Sequence, residues 1–544
     1  MLPGALHARA REWGPPLVAS LWLTLIFLLR WPPLSQPGFV SESALDSALF
    51  AYAGELVRTG GTPYLTFWDH KAPLIFLVNA AALALSGGKV WGLWLLNLGV
   101  FVGATVLGHA CMRRAFGPLA ALLGTTCFAS SLAAMMPANL TEGYVLPLQW
   151  AAVLLLVGWA AERPAPFMRG AALGVLAALA FFLRANLIGA ALSVGLTLVA
   201  MMVFQRRSRD CMALVLGGVA GIAIVSLMLV AYLASAGALS AFWEQAFEYN
   251  FVYARSELRS RVGAAFFGTM LVTRFGSAVI PFAGWVMCAR RVWSARRGMQ
   301  THPVYLLALV WLPIELLLAS MSGRHYGHYF ATALAPLALL SAAFVAEALA
   351  MAPAAQARGN GVLMVRLLAG GTALIAIAAT TMQLVGGGGK AERERRAQVT
   401  AAADYVRAKT GAGAPLLVWG HAADVHFFSG RRPASRFVYP LPLLTPGYAN
   451  AARVNSFLDE IRTAAPPLII DATANAQEGE DLVPSLARWD PTWGYPRSPH
   501  TANRWWSMTP ELKAFYDYVH ANYEMVDTVG PKEWVVYKRL PVHP

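Results

Sequence analysis

The chain has 544 residues, of which 57% are hydrophobic and 13% charged, with a mean hydropathy of +0.50. That balance excludes an ordinary soluble globular protein, and long apolar runs broken by short basic patches exclude a transmembrane barrel, whose strands would alternate with a period of two. The formal charge of +14 does not mark a nucleic-acid binder: residues 386–544 carry 18 Lys and Arg against 16 Asp and Glu, so the excess lies in the apolar part, where basic loops anchor a membrane protein.

Arg9 and Arg11 precede an apolar run without a convincing cleavage site, which reads as a retained first span over 15–34. Further runs at 89–111, 117–136, 143–161, 170–183, 187–204, 211–234, 276–294, 303–320, 327–350 and 361–385 bring the expectation to about eleven crossings. With the N-terminus inside, Arg113/Arg114, Arg163/Arg169, Arg206/Arg207/Arg209, Arg290/Arg291/Arg296/Arg297 and Arg358/Arg366 all fall on the inner face. This parity demotes 73–87 to an interfacial or re-entrant helix. It also forces 170–204 to rise and return within two short arms turning near Arg184-Ala185-Asn186, a break tolerated where a wet cavity receives it.

The first outside loop, 35–88, carries Leu45, Leu49, Tyr52 and Leu56 at helical spacing, stopped by Gly60-Gly61 and Pro63. The loop 235–275 is rich in aromatics and leads into Arg255, Arg259 and Arg261. A glycine-rich linker at 386–395 separates the membrane part, 1–385, from a polar domain at 396–544. There Pro415–Trp419, Pro467–Asp471 and Trp534–Tyr537 read as strands, and 396–409, 449–464 and 510–521 as helices. The expected fold class is an all-α polytopic membrane domain followed by a C-terminal periplasmic α/β domain. Cys111, Cys127, Cys211 and Cys288 lie in or beside apolar runs and imply neither a disulfide framework nor a metal site.

Candidate chemistry concentrates in the first loop, which holds Glu42, Asp46, Asp69, His70 and Lys71. Asp46 also fits a helix-closing carboxylate after Ser43, and the two readings stand even on spacing alone. The alternative for Asp69-His70-Lys71 before Pro73 is a solvated anchoring loop. His421, Asp424 and His426 read as two surface histidines around a helix-capping Asp, and no metal or other cofactor is expected. The aromatic stretch from Trp489 to Trp506 reads as packing.

These residues resemble the C-type membrane glycosyltransferases, which include protein O-mannosyltransferases and lipid A aminoarabinose transferases. The resemblance runs through Asp46-Ser-Ala-Leu-Phe-Ala-Tyr, Gly60-Gly-Thr-Pro-Tyr64, Lys71-Ala-Pro-Leu74, Asn139-Leu-Thr-Glu142-Gly-Tyr and Arg324-His-Tyr-Gly-His328-Tyr329, with Ala72 departing where the family more often has a second proline. It covers roughly residues 15–385. It implies an inverting hexosyl- or pentosyltransferase of a bacterial inner membrane, using a polyprenyl-phosphate-linked sugar and a glycan, lipid or protein acceptor on the periplasmic side. By the same resemblance Asp46 is the general base and Glu142 a second catalytic carboxylate. Lys71, Arg184, Arg255 and Arg324 would bind the donor phosphate, where fixed cations stabilise the charge that grows on the leaving group. Glu42, Tyr64, Asp69, His70, His328 and Tyr329 would touch substrate. Snorkelling to headgroups is the competing explanation for the outside arginines, and helix-dipole compensation for Glu142. A lipid-linked sugar flippase would place its charges near the midplane with an internal repeat, neither of which the sequence has, and a non-catalytic assembly subunit would not need both Asp46 and Lys71.

Overall fold

The computed structural model describes residues 14–26, 28, 45–135, 138–158, 165–255, 257–275, 279–295, 303–351, 389–473, 485–487 and 510–541, with single positions between 370 and 381. The expected span at 361–385, Glu42, Ser43 and the stretch from Trp489 to Trp506 lie essentially outside the described residues. The chain divides into two compact units. One comprises Met1–Pro32, Trp94–Tyr232 and Ser256–Gly388; the other comprises Pro33–Leu93, Leu233–Arg255 and Gly389–Pro544.

The first unit is helical. Among the described residues of the whole chain, six helices are long and apolar enough to cross a membrane: Val90–Phe116, Pro118–Met135, Pro166–Leu183, Ser208–Ser235, Pro303–Ser320 and Gly327–Ala350. Gly14–Ile26, Thr141–Val157 and Gly189–Phe204 are shorter apolar helices, and Val279–Ala295 fills the expected run at 276–294. The helix Leu258–Phe275 was not foreseen; Arg259, Arg261 and Arg274 dilute its apolar face, so its sequence reads as loop. Pro166–Leu183 and Ser208–Ser235 meet along a seam of glycines. A Cβ at Gly174 would stand 2.1 Å from the Gly218 carbonyl oxygen, so only small residues let these backbones approach. A buried carboxylate pins the bundle: Glu315 Oε1 accepts from Gln149 Nε2 at 2.8 Å and Trp311 Nε1 at 2.9 Å, bonds favoured where no water competes.

The second unit is built on a five-stranded mixed sheet of order β2-β1-β3-β5-β4, with β1 Pro415–Trp419, β2 Arg432–Pro433, β3 Leu468–Asp471, β4 Tyr523–Val529 and β5 Trp534–Arg539. β1 pairs parallel with β2 and β3, and β5 antiparallel with β3 and β4. Alternation along β1 sends Leu416 and Val418 into an aliphatic core with Val399, Val406, Ile470 and Val536 under the helix Gly389–Lys409. Trp419 faces the other way, 4.8 Å from the Phe515 ring, with Phe457 beside it, so helices cover both faces. Gly389–Lys409 begins inside the stretch read from sequence as a linker. Two helices, Leu45–Arg58 and Leu74–Leu85, pack on each other in this unit and carry the loop between them that holds Tyr64, Asp69, His70 and Lys71.

Candidate active site

In the second unit the part of the loop around Trp68–Lys71 is largely buried rather than solvated. Asp69 is 0% exposed and Lys71 5%, which removes the anchoring-loop alternative. The turn before Pro73 is closed by Asp69, whose Oδ1 accepts the Lys71 backbone N–H at 2.7 Å. Tyr64, at φ 71°, adopts a left-handed conformation costly for a bulky side chain. Its hydroxyl donates to the Lys71 carbonyl at 2.9 Å, and its carbonyl accepts from Gln245 Nε2 at 2.8 Å. Gln245 Oε1 also accepts the Asp69 N–H at 3.1 Å, from a π-helical turn over Glu244–Glu248 that interrupts the helical run Leu239–Tyr253. Asn250 Nδ2 donates to the His70 carbonyl at 2.7 Å. Every one of these bonds fixes backbone around Lys71, so the cation is positioned by the loop and not by its own flexible stem.

The Lys71 ammonium lies 3.3 Å from Asp46 Oδ2, on the first turn of Leu45–Arg58, and 3.1 Å from His70 Nε2. An ammonium can only donate, so Nε2 accepts and the ring proton sits on Nδ1, 3.3 Å from the Tyr439 hydroxyl. Burial pushes the Asp69 carboxyl up to about 6 against the pull of Lys71, and its Oδ2 has no hydrogen-bond partner among the described residues. Burial also raises the Tyr439 hydroxyl, with the Asp69 charge adding to it. The result is a fixed cation beside a half-buried carboxylate, an arrangement that can hold an anion and accept a proton within a few ångströms.

In the first unit Glu142, on the first turn of Thr141–Val157 and 1% exposed, accepts from Arg184 Nη1 at 2.6 Å through Oε1 and from Thr141 Oγ1 at 2.9 Å through Oε2. Arg184 stands in extended conformation at the break between Pro166–Leu183 and Gly189–Phe204, followed by a single tight turn over Ala185–Leu187. Its guanidinium carbon lies 3.7 Å from the centroid of the Tyr329 ring, and Tyr329 packs edge-on to His328 at 4.8 Å. The guanidinium is thus bonded to a carboxylate and laid against an aromatic face.

The structure therefore brings together Asp46, Tyr64, Asp69, His70 and Lys71 in one unit, and Glu142, Arg184, His328 and Tyr329 in the other. Arg255 is exposed and makes no side-chain bond among the described residues, while Arg324 is half-buried. Arg259 and Arg261 are exposed on Leu258–Phe275. The reading of His421 and His426 as surface residues is corrected: His426 is buried, His421 is partly exposed but with both ring nitrogens covered, burial lowers His421 to about 4 and His426 to about 3, and Asp424 is taken by a two-oxygen contact to Arg395. Sequence reasoning missed Gln245, Asn250 and Tyr439, which hold the loop around Lys71 through Tyr64, Asp69 and His70. Each comes from a segment distant in the chain, and no local pattern marks it.

No family model and no curated protein matches the sequence. Among solved structures, ArnT from Cupriavidus metallidurans bound to undecaprenyl phosphate is similar at a TM-score of 0.61 and 15% identity, covering 98% of this chain and 99% of that one. The apo state of the same protein gives 0.59 and 15%, over 96% and 97%. The Archaeoglobus fulgidus oligosaccharyltransferase tethered to an acceptor peptide with the NVT sequon gives 0.54 and 12%, over 98% of this chain and 74% of that one. Identities this low speak to fold alone. ArnT, an aminoarabinose transferase, and the oligosaccharyltransferase are both C-type glycosyltransferases, and this chain has their fold.

Proposed function

We propose that the protein is a membrane glycosyltransferase that takes a sugar from a polyprenyl-phosphate donor and passes it, with inversion, to a hydroxyl of a cell-envelope glycan, lipid or protein. The observation that carries this reading is the Lys71 ammonium held 3.3 Å from Asp46 in a chain with this fold. Asp46 removes the acceptor proton as that oxygen attacks the anomeric carbon, the bond from that carbon to the phosphate oxygen breaks, and polyprenyl phosphate leaves with the negative charge that Lys71 stabilises. Asp69, His70 and Tyr64 hold Lys71 in place. Arg184, positioned by Glu142 and Tyr329, and Arg255 and Arg324 are assigned to the anionic headgroup of the donor, with Glu42 and His328 as further substrate contacts. The reaction needs no metal or organic cofactor in this scheme. The basic loops support an inner-membrane protein of about eleven spans with residues 35–88 and 396–544 on the periplasmic side.

The test is transfer by purified protein from a panel of undecaprenyl-phosphate-linked hexoses and pentoses to envelope glycan, lipid and protein acceptors. Sugar transfer with release of undecaprenyl phosphate is expected. A protein that binds these donors and transfers from none of them would be a carrier or an assembly subunit, and the proposal would be wrong.

A further inference from the structure

The sheet of the second unit places one residue where α/β sheets tend to bind ligands. From the carboxyl end of β1 the chain passes to β2 on one side, and from the carboxyl end of β3 it leads on to β4 at the opposite edge. The ends of β1 and β3 are therefore the point at which successive connections diverge, the usual position of a binding crevice in such sheets. His421 stands there, two residues beyond Trp419. Gly420 precedes it at φ 129°, with room for a Cβ limited by Thr473 Cγ2 at 3.0 Å.

The His421 ring lies 5.1 Å from the ring of Tyr439, whose hydroxyl meets His70, which in turn meets Lys71. Both His421 ring nitrogens are covered and neither has a hydrogen-bond partner among the described residues. Folded proteins rarely leave a covered donor and a covered acceptor unmet on one ring, and a hydroxyl, which can both accept and donate, is able to meet either nitrogen. Burial keeps the ring neutral at physiological pH, and of the charged groups acting on it Asp46 acts most strongly. A neutral ring next to the general base suits a hydroxyl rather than a phosphate.

We propose that His421 is the C-terminal residues' contribution to the substrate site, hydrogen-bonding a hydroxyl of the sugar-bearing donor or of the acceptor beside Asp46. This rests on the glycosyl-transfer reading above. The experiment compares the parent with His421→Phe, which keeps a ring against Tyr439 but removes both nitrogens, and with His421→Gln, which keeps a donor and an acceptor. Binding of undecaprenyl phosphate, which has no sugar, is measured alongside KM for donor and for acceptor in the transfer reaction. His421→Phe should bind undecaprenyl phosphate like the parent yet raise one KM roughly 3- to 10-fold, the size of a single neutral hydrogen bond, and His421→Gln should recover part of it. A change confined to the donor KM assigns the hydroxyl to the donated sugar, and one confined to the acceptor KM assigns it to the acceptor. If His421→Phe melts well below the parent, His421→Ala is read by the same criteria against His421→Gln at equal melting temperature. Unchanged values of both constants in the folded variants would overturn the role of His421 while leaving glycosyl transfer standing. Absence of transfer by the parent would remove both.

Discussion

Replacing Asp69 by Asn should flatten the pH dependence of stability. The carboxyl is fully buried and raised from an ordinary 3.8 to about 6, so the folded protein holds its proton more tightly than the unfolded chain does. The stability this contributes is complete below pH 3.8 and is lost as pH rises through about 6. The difference between the two values corresponds to roughly 3 kcal/mol, an order-of-magnitude figure. Asn is permanently neutral, and its Oδ1 can still accept the Lys71 N–H while its amide nitrogen replaces the unpartnered Oδ2. That unmet amide costs about 1–3 kcal/mol at every pH, so it shifts the curve without tilting it. Thermal unfolding of parent and variant in the same detergent, from pH 4.5 to 8, isolates the effect: over that window variant stability minus parent stability should grow with pH by about 2 kcal/mol and level off above about pH 7. Parallel curves would refute the reasoning, because they would mean that Asp69 is already ionised, and compensated, throughout that range.

Three further outcomes follow from the same contacts. Lys71→Ala should weaken undecaprenyl phosphate binding at least tenfold, and Lys71→Arg should not restore it, since a planar fork cannot occupy the space between Asp46 Oδ2 and His70 Nε2 as an ammonium does; equal Kd values by direct binding would count against a phosphate role. Glu142→Gln and Arg184→Leu, combined in a double-mutant cycle on thermal stability, should give a coupling of about 1.5–3 kcal/mol, as expected of a charge-assisted bond at 2.6 Å with both partners largely buried; a coupling near zero would show the pair to be incidental. Tyr52→Phe should cost about 1 kcal/mol through loss of the buried hydroxyl bond to the Arg431 carbonyl, without altering transfer.

The membrane part was largely legible because its signals are local and additive. Apolar runs and basic loops located Thr141–Val157, Gly189–Phe204 and most other helices to within a few residues, and charge parity alone demanded the break at Arg184. Leu258–Phe275 was illegible because its arginines and glycines lower the apolar average below that of a span. In the sheet, β1, β3 and β5 are short buried runs and were visible, whereas β4 is an edge strand exposed along its middle with an irregularity between Met525 and Asp527, so no alternation announces it. The site divides in the same way. Asp46, Asp69, His70 and Lys71 sit in one segment of ionisable groups that is improbable beside lipid, and that improbability is itself the signal. Gln245, Tyr439 and His421 gain their positions only when Leu233–Arg255 and the sheet close around that segment, and His421 looked like a surface residue because nothing local predicts that both its ring nitrogens are covered.

The role of Asp46 is tested most directly by turnover of the Asp46→Asn variant from a donor that the parent uses, measured with binding of undecaprenyl phosphate to the same preparation. Asn preserves size and can still close the first turn of Leu45–Arg58, but it cannot take a proton. A general base beside a fixed cation predicts undecaprenyl phosphate affinity within a few-fold of the parent and turnover lower by roughly 10²–10⁴-fold. Turnover within a few-fold of the parent, accompanied by a lower melting temperature, would make Asp46 a helix-closing residue and contradict the mechanism.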